Sequence, residues 1–228
     1  MSAILRLYNT TVGQKLLMAL TGLGLVGFII AHLSGNFLMF RGAEAMNAYA
    51  KLLKDQGPLL WGARIGLLAM FGFHIHIALR LRKRNSDARK QAYAFEETLQ
   101  ATWMSRNMLL TGLLVLGFIA FHLAHFTLGF VDPTASALKT DSGQHDVFGM
   151  VVQGFKNPLY TMLYVACMGI VAVHLAHGVS SLFQTLGLHH KAYFKYMKFV
   201  GPAFAALIFV GFCSIPAAVI VGIIKEST

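Results

Sequence analysis

The stretch GIVAVHLAHGVSSLFQTLGL, residues 169–188, decides how this sequence is read. It sits within a charge-free run from Asn157 to Leu188 that is long enough to cross a bilayer, yet it carries His174 and His177. Ionisable side chains in hydrocarbon are costly and by default mark a function.

Composition sets the frame for those imidazoles. Of 228 residues, 56% are hydrophobic and only 12% charged, with a mean hydropathy of +0.61. A soluble domain carries about twice that share of charge, so the chain is read as an all-α integral membrane protein in contact with the lipid bilayer. The net charge of +10 would otherwise point to nucleic acid; basic cytoplasmic loops account for it without a nucleic-acid partner. Cys167 and Cys213 both fall in apolar segments, and two thiols cannot supply an iron–sulfur cluster or a disulfide framework.

Five segments meet the criterion of roughly 20 apolar residues for a spanning helix. They cover about 16–40, 59–80, 107–131, 158–187 and 199–224, and no low-complexity linker divides them, so residues 1–228 read as a single domain. The first is too long for a signal-peptide apolar region and lacks a small-residue cleavage site. The connection after the second holds Arg80, Arg82, Lys83, Arg84, Arg89, Lys90 and Arg106, and the one before the fifth holds Lys191, Lys195 and Lys198. The positive-inside rule then puts the N-terminus in the cytoplasm and the C-terminus outside. The longer connections, roughly 80–106 and 132–156, contain Gly, Asp, Ser and charged residues and read as loops at the membrane surface.

Of ten histidines, seven fall in the first four segments: His32, His74, His76, His122, His125, His174 and His177. His32 comes 17 residues after Lys15 and His122 comes 16 after Arg106, on helices entered from inside. His74 and His174 each come 16 residues after a proline, Pro58 and Pro158, on helices entered from outside. At 1.5 Å per residue, the first two lie roughly 25 Å along their helices, towards the outer face, and the second two lie towards the cytoplasm. The result is two histidine pairs at two levels, helix one with helix three and helix two with helix four. A haem iron takes two axial ligands from opposite sides of a flat ring, and imidazoles on facing helices supply them. Two stacked bis-histidine haems fit, with irons roughly 10 to 15 Å apart in depth. Gly35, Ala78 and Gly178 follow His32, His74 and His174 by one turn, where small residues would let a macrocycle approach. His125 and His177 lie one turn beyond His122 and His174, a position suited to hydrogen bonding with the ligands or the haem propionates. Lys15, Arg64 and Arg106 are the candidate cationic partners of those propionates. His145, His189 and His190 read as solvated.

The order and spacing of several motifs resemble one family across nearly the whole chain. They are TVGQKLLMALTG, FIIAHLSGN leading into RGAEAMNAYA, FHIHIALRLRKRNSDARKQAY, WMSRNML, FHLAHF, KNPLYTMLY and VHLAHGVSSLFQTLG. The family is the dihaem cytochrome b membrane anchor of succinate dehydrogenase and fumarate reductase, complex II, in its single-chain five-helix form. The resemblance implies one haem ligand from each of the first four helices. Aligned motif by motif, these are His32, His74, His122 and His174. His76 is the alternative in helix two; His74 keeps the family spacing to Asn85, Ala88 and Arg89.

The same resemblance implies a cytochrome that passes electrons through two haem b groups between an iron–sulfur subunit and menaquinone. FAD and the iron–sulfur clusters would belong to the partner flavoprotein and iron–sulfur subunits, in a bacterial cytoplasmic (inner) membrane. This chain alone would have no dehydrogenase chemistry. A distal quinone site would involve the region from Asn36 to Arg64, including Glu44, Asp55 and Trp61. One branch of the family carries a glutamate two residues before the helix-four ligand for transmembrane proton movement; here that position is Ala172. The competing readings are a transporter or ion carrier using histidines as proton or metal relays, and a di-iron membrane desaturase.

Overall fold

The computed structural model describes residues 8–88, 103–188 and 194–226. Apart from one isolated bridge between Lys139 and His145, the described residues form helices and the turns between them. In chain order they are α1 (Thr11–Asn36, continued by a 3₁₀ turn, Phe37–Arg41), α2 (Ala43–Asp55), α3 (Pro58–Asp87) and α4 (Trp103–Arg106). Then come α5 (Met108–His122, continued by a π turn, Leu123–Thr127), α6 (Pro133–Ser136), α7 (Val147–Lys156), α8 (Pro158–Thr185) and α9 (Phe194–Ile220). Five of them, α1, α3, α5, α8 and α9, are long and apolar enough to cross a bilayer. The chain is a multi-pass membrane protein.

Local chemistry sets the ends of the spans. Thr10 caps α1 by accepting a hydrogen bond from the Gly13 amide at 3.0 Å. Pro158 occupies the first turn of α8, behind the Asn157 cap that accepts from the Leu159 amide. α1 begins at Thr11 rather than near residue 16. α3 runs on to Asp87, so Arg80, Arg82, Lys83 and Arg84 lie on a helical extension and not in a loop. α5 stops earlier than the expected 131, because its last turn widens to a π turn and Gly129 takes a positive φ of 68°. Arg89, Lys90, His189, His190 and Lys191 lie outside the described residues. We refer to the end of the bundle bearing Arg80–Arg84 as the basic end, and to the opposite end as the far end.

The segment 132–156 is only in part the expected surface loop: residues 137–146 are turns, but Pro133–Ser136 and Val147–Lys156 form α6 and α7. α7 is the most completely buried of the described helices, with Phe148, Met150, Val151, Val152 and Phe155 all buried. Asp146 starts it, accepting from the Gly149 amide at 2.9 Å and from Asn47 Nδ2 of α2 at 2.8 Å. Asn47 Oδ1 in turn accepts from the Phe148 amide at 3.0 Å. The apolar side chains of α7 then pack on Met39, Met46, Tyr164 and Ile215, closing the far end with a helical cap. Replacing Asp146 by Ala removes a cap and one side of the Asn47 bridge. The expected loss is about 1–2 kcal/mol, read as a lowered midpoint in thermal unfolding of the detergent-solubilised protein.

The second core lies lower, where Leu33 of α1 meets Leu175 and Ala176 of α8 and Ala205 and Ile208 of α9. α8 and α9 come into close approach at Gly201, where an added Cβ would overlap the Ala176 carbonyl oxygen and Ser180 Oγ.

Candidate functional site: two histidine pairs within the bundle

α1 packs along α3, and α5 along α8, while α1 also touches α8 and α9. The partners that matter for the histidines are the other ones, α1 with α5 and α3 with α8. Among the described residues neither of those pairs packs along its length, so side chains and not backbones span the space between them.

At the far level, the rings of His32 (α1) and His122 (α5) meet edge-to-face with centroids 5.9 Å apart and planes at 83°. A metal held between two imidazoles by bonds of about 2 Å sets ring centroids about 6 Å apart. The observed spacing is that of an edge-to-face ring pair and equals the spacing such a metal would set. Aromatic neighbours hold each ring. Phe28 stacks on His32 at 5.4 Å and 13°, with Phe212 of α9 at 5.8 Å, and Phe118 lies 5.9 Å from His122. Asn36 donates to the His32 carbonyl at 2.7 Å, its amide nitrogen standing 3.4 Å from His32 Nε2. Tyr164 of α8 brings its hydroxyl 3.5 Å from His122 Nδ1 and 3.1 Å from His125 Nδ1. His125 is thus joined to His122 through Tyr164. It is almost wholly buried, against Phe126 and Tyr160, and its Nε2 has no hydrogen-bond partner among the described residues.

At the level nearer the basic end stand His74 (α3) and His174 (α8), with His177 one turn beyond His174 on α8. The two rings have matching surroundings. His74 Nδ1 is 3.0 Å from Thr21 Oγ1 of α1, and His174 Nδ1 is 3.2 Å from Thr111 Oγ1 of α5. Each ring also lies against a bare glycine Cα: a Cβ on Gly22 would stand 3.6 Å from His74 Cε1, and one on Gly112 would stand 3.5 Å from His174 Cε1. Thr21 and Thr111 precede His32 and His122 by 11 residues, which sets the two levels about 16 Å apart along the helix axes.

Thr21, Thr111 and Tyr164 are not among the residues that the sequence pattern picks out, although a repeat marks the threonines. MALTGLGLVGFIIAHL (18–33) and MLLTGLLVLGFIAFHL (108–123) match at Thr21/Thr111, Gly22/Gly112, Gly27/Gly117, Phe28/Phe118, Ile29/Ile119 and His32/His122, among others. The helix that follows each copy carries its histidine 16 residues after a proline. Each copy with its following helix forms a hairpin giving one imidazole to each level.

Other expected site residues stand away from the pairs. His76 points away from the bundle interior and meets the Tyr8 hydroxyl at 2.8 Å. Tyr8 lies in turn under the Arg80 guanidinium at 4.0 Å. Lys15 and Arg106 are exposed, as is Arg64, whose guanidinium lies 5.1 Å from the Trp61 ring centre. Glu44 stands in the first turn of α2, and Asp55 pairs with Lys51. Of the four residues expected around a quinone, Asn36 is the one that touches a histidine pair among the described contacts. Gly35 does not make room for a macrocycle: it receives the Tyr49 ring of α2, whose hydroxyl would lie 2.8 Å from a Cβ there. Gly178 faces open space.

No protein-family model matches the chain, and no curated protein or solved structure does.

Proposed function

We propose that the chain is the membrane-anchoring cytochrome b subunit of a succinate:quinone oxidoreductase, a succinate dehydrogenase or fumarate reductase. Its two bis-histidine sites would hold haem b: His74 and His174 at the basic end, His32 and His122 at the far end. The observation that carries the reading is the approach of His32 and His122, with ring centroids 5.9 Å apart, between helices that do not otherwise pack along their length. The second histidine pair, one level below on the remaining two helices, supports it.

Haem bound at these sites supplies one-electron chemistry. The work of the chain is to hold and tune. His32, His74, His122 and His174 would provide the axial imidazoles. Aromatic rings stand beside His32 and His122, and low polarity around a site is one determinant of its potential. The basic end is the side we assign to the cytoplasm, by the positive-inside rule. There Arg82 and Lys83 are exposed on the α3 extension and form a surface suited to docking an iron–sulfur subunit, while Arg80 and Arg84 bond Asn9 at its side. Electrons would pass between that subunit and a membrane quinone, with menaquinone our expectation, in a bacterial cytoplasmic membrane. Arg84 Nη1 is buried there without a partner among the described residues and suits a propionate better than the exposed Lys15 or Arg106. A transporter using the histidines as relays would need acidic partners beside them, and the hydrogen-bond partners found for His32, His74, His122 and His174 are hydroxyls and an amide.

Dithionite-reduced membranes containing the full chain are expected to show an α-band of b-type haem, and a redox titration to resolve two components. His76→Ala is expected to leave both in place. A colourless membrane fraction, a single component, or loss of a component in His76→Ala would overturn the assignment.

A further inference from the structure

Thr21 and Thr111 sit in equivalent positions of the repeat and each does the same thing. The Thr21 hydroxyl donates to the Leu17 carbonyl at 2.8 Å, with the Met18 carbonyl at 3.1 Å. The Thr111 hydroxyl donates to the Asn107 carbonyl at 3.1 Å, with the Met108 carbonyl at 3.2 Å. A threonine hydroxyl has one proton. With that proton committed to the helix backbone, the oxygen can only accept from the imidazole nitrogen beside it. In that arrangement His74 and His174 would carry their protons on Nδ1, which leaves the Nε2 lone pair free.

We propose that Thr21 and Thr111 are positioning residues that fix His74 and His174 in the Nδ1–H tautomer, each presenting Nε2 as a metal ligand. Each threonine acts across its own hairpin, α1 on α3 and α5 on α8, so the two sides of the basic-end site are set independently by the same device. Gly22 and Gly112, next in sequence, stand beside the rings, where an added Cβ would make ordinary van der Waals contact with the imidazole Cε1. The far end lacks the threonine device: a tyrosine hydroxyl, Tyr164, stands 3.5 Å from His122 Nδ1, and the polar neighbour of His32, Asn36 Nδ2, lies at Nε2 and not at Nδ1. The proposal rests on the haem reading above, and it assigns a role to two residues that act through the ligands.

The test uses membranes containing the full chain, with ferric low-spin electron paramagnetic resonance as the readout. The signal lost in His74→Ala identifies the basic-end site, and the one lost in His32→Ala identifies the far-end site. Thr21→Val and Thr111→Val keep the shape and remove the acceptor. Loss of such an outer hydrogen bond costs roughly 10- to 100-fold in metal affinity. We therefore expect the basic-end signal to shift and its occupancy to fall, most in the double variant, with the far-end signal unchanged as the internal control for folding. Thr21→Ser and Thr111→Ser are expected to restore it. Valine variants that leave the basic-end signal in place, or serine variants that fail to rescue it, would overturn the proposal while leaving the haem assignment intact. Absence of both signals from the unsubstituted protein would overturn the haem reading, and this proposal with it.

Discussion

His122→Ala is expected to retain about half of the haem absorbance, because a bis-histidine site gives up its iron when one of its two axial ligands is removed. The remaining component should be the one lost in His74→Ala. The reason is positional: His122 reaches His32 at 5.9 Å, whereas the lower pair has its own partners in Thr21 and Thr111. Haem content per chain, measured as the pyridine haemochrome against protein, checks the halving. Loss of all haem, or of none, would mean that the two levels are not independent sites. Tyr164 and His125 make the far level sensitive in a second way, since the Tyr164 hydroxyl is shared between the Nδ1 atoms of His122 and His125.

The other large effect expected lies away from the histidines. Gly201→Ala should strongly reduce the amount of folded protein recovered from the membrane. A Cβ at that position would meet the Ala176 carbonyl, which is backbone and cannot swing aside as a side chain would. Overpacking of this kind costs about 1–3 kcal/mol and sometimes more. Here α9 would also be pushed from α8 beside Ala176 and Leu175, which belong to the lower core. Fluorescence-detected size exclusion of the solubilised chain distinguishes a destabilised bundle from a normal one. As a matched control, Gly62→Ala should be silent, because an added Cβ there meets nothing within 4 Å.

The spans are legible in the sequence because a bilayer demands about 20 apolar residues in succession, and nothing in tertiary packing overrides that demand. The histidine levels are legible for a related reason. Helical rise is constant, so counting from Pro58 and Pro158 carries directly into depth. What escapes the sequence follows a different logic. VFGMVVQGF (147–155) is too short to register as a span, and among Asp, Ser and Gly it has the composition of a loop; its burial depends on α2 meeting it through Asn47, about a hundred residues earlier. Thr21 and Thr111 do not stand out because a threonine in an apolar helix ordinarily bonds its own backbone carbonyl. These do that too, and the second contact is visible only when the neighbouring helix is in place. Gly35 shows the reverse error: its spacing from His32 is right for one use, and Tyr49 puts it to another.

The repeat has a last consequence. Offset by 90 residues, His125 is the counterpart of Gly35, so where one copy carries an imidazole bonded to a tyrosine hydroxyl, the other is bare backbone beneath the Tyr49 ring. The lower level reads as a palindrome, each half answering the other with Thr, Gly and His, whereas the upper level has lost that mirror. The two levels therefore differ in character: at the lower one both histidines meet the same threonine and glycine neighbours, and at the upper one their partners are unlike.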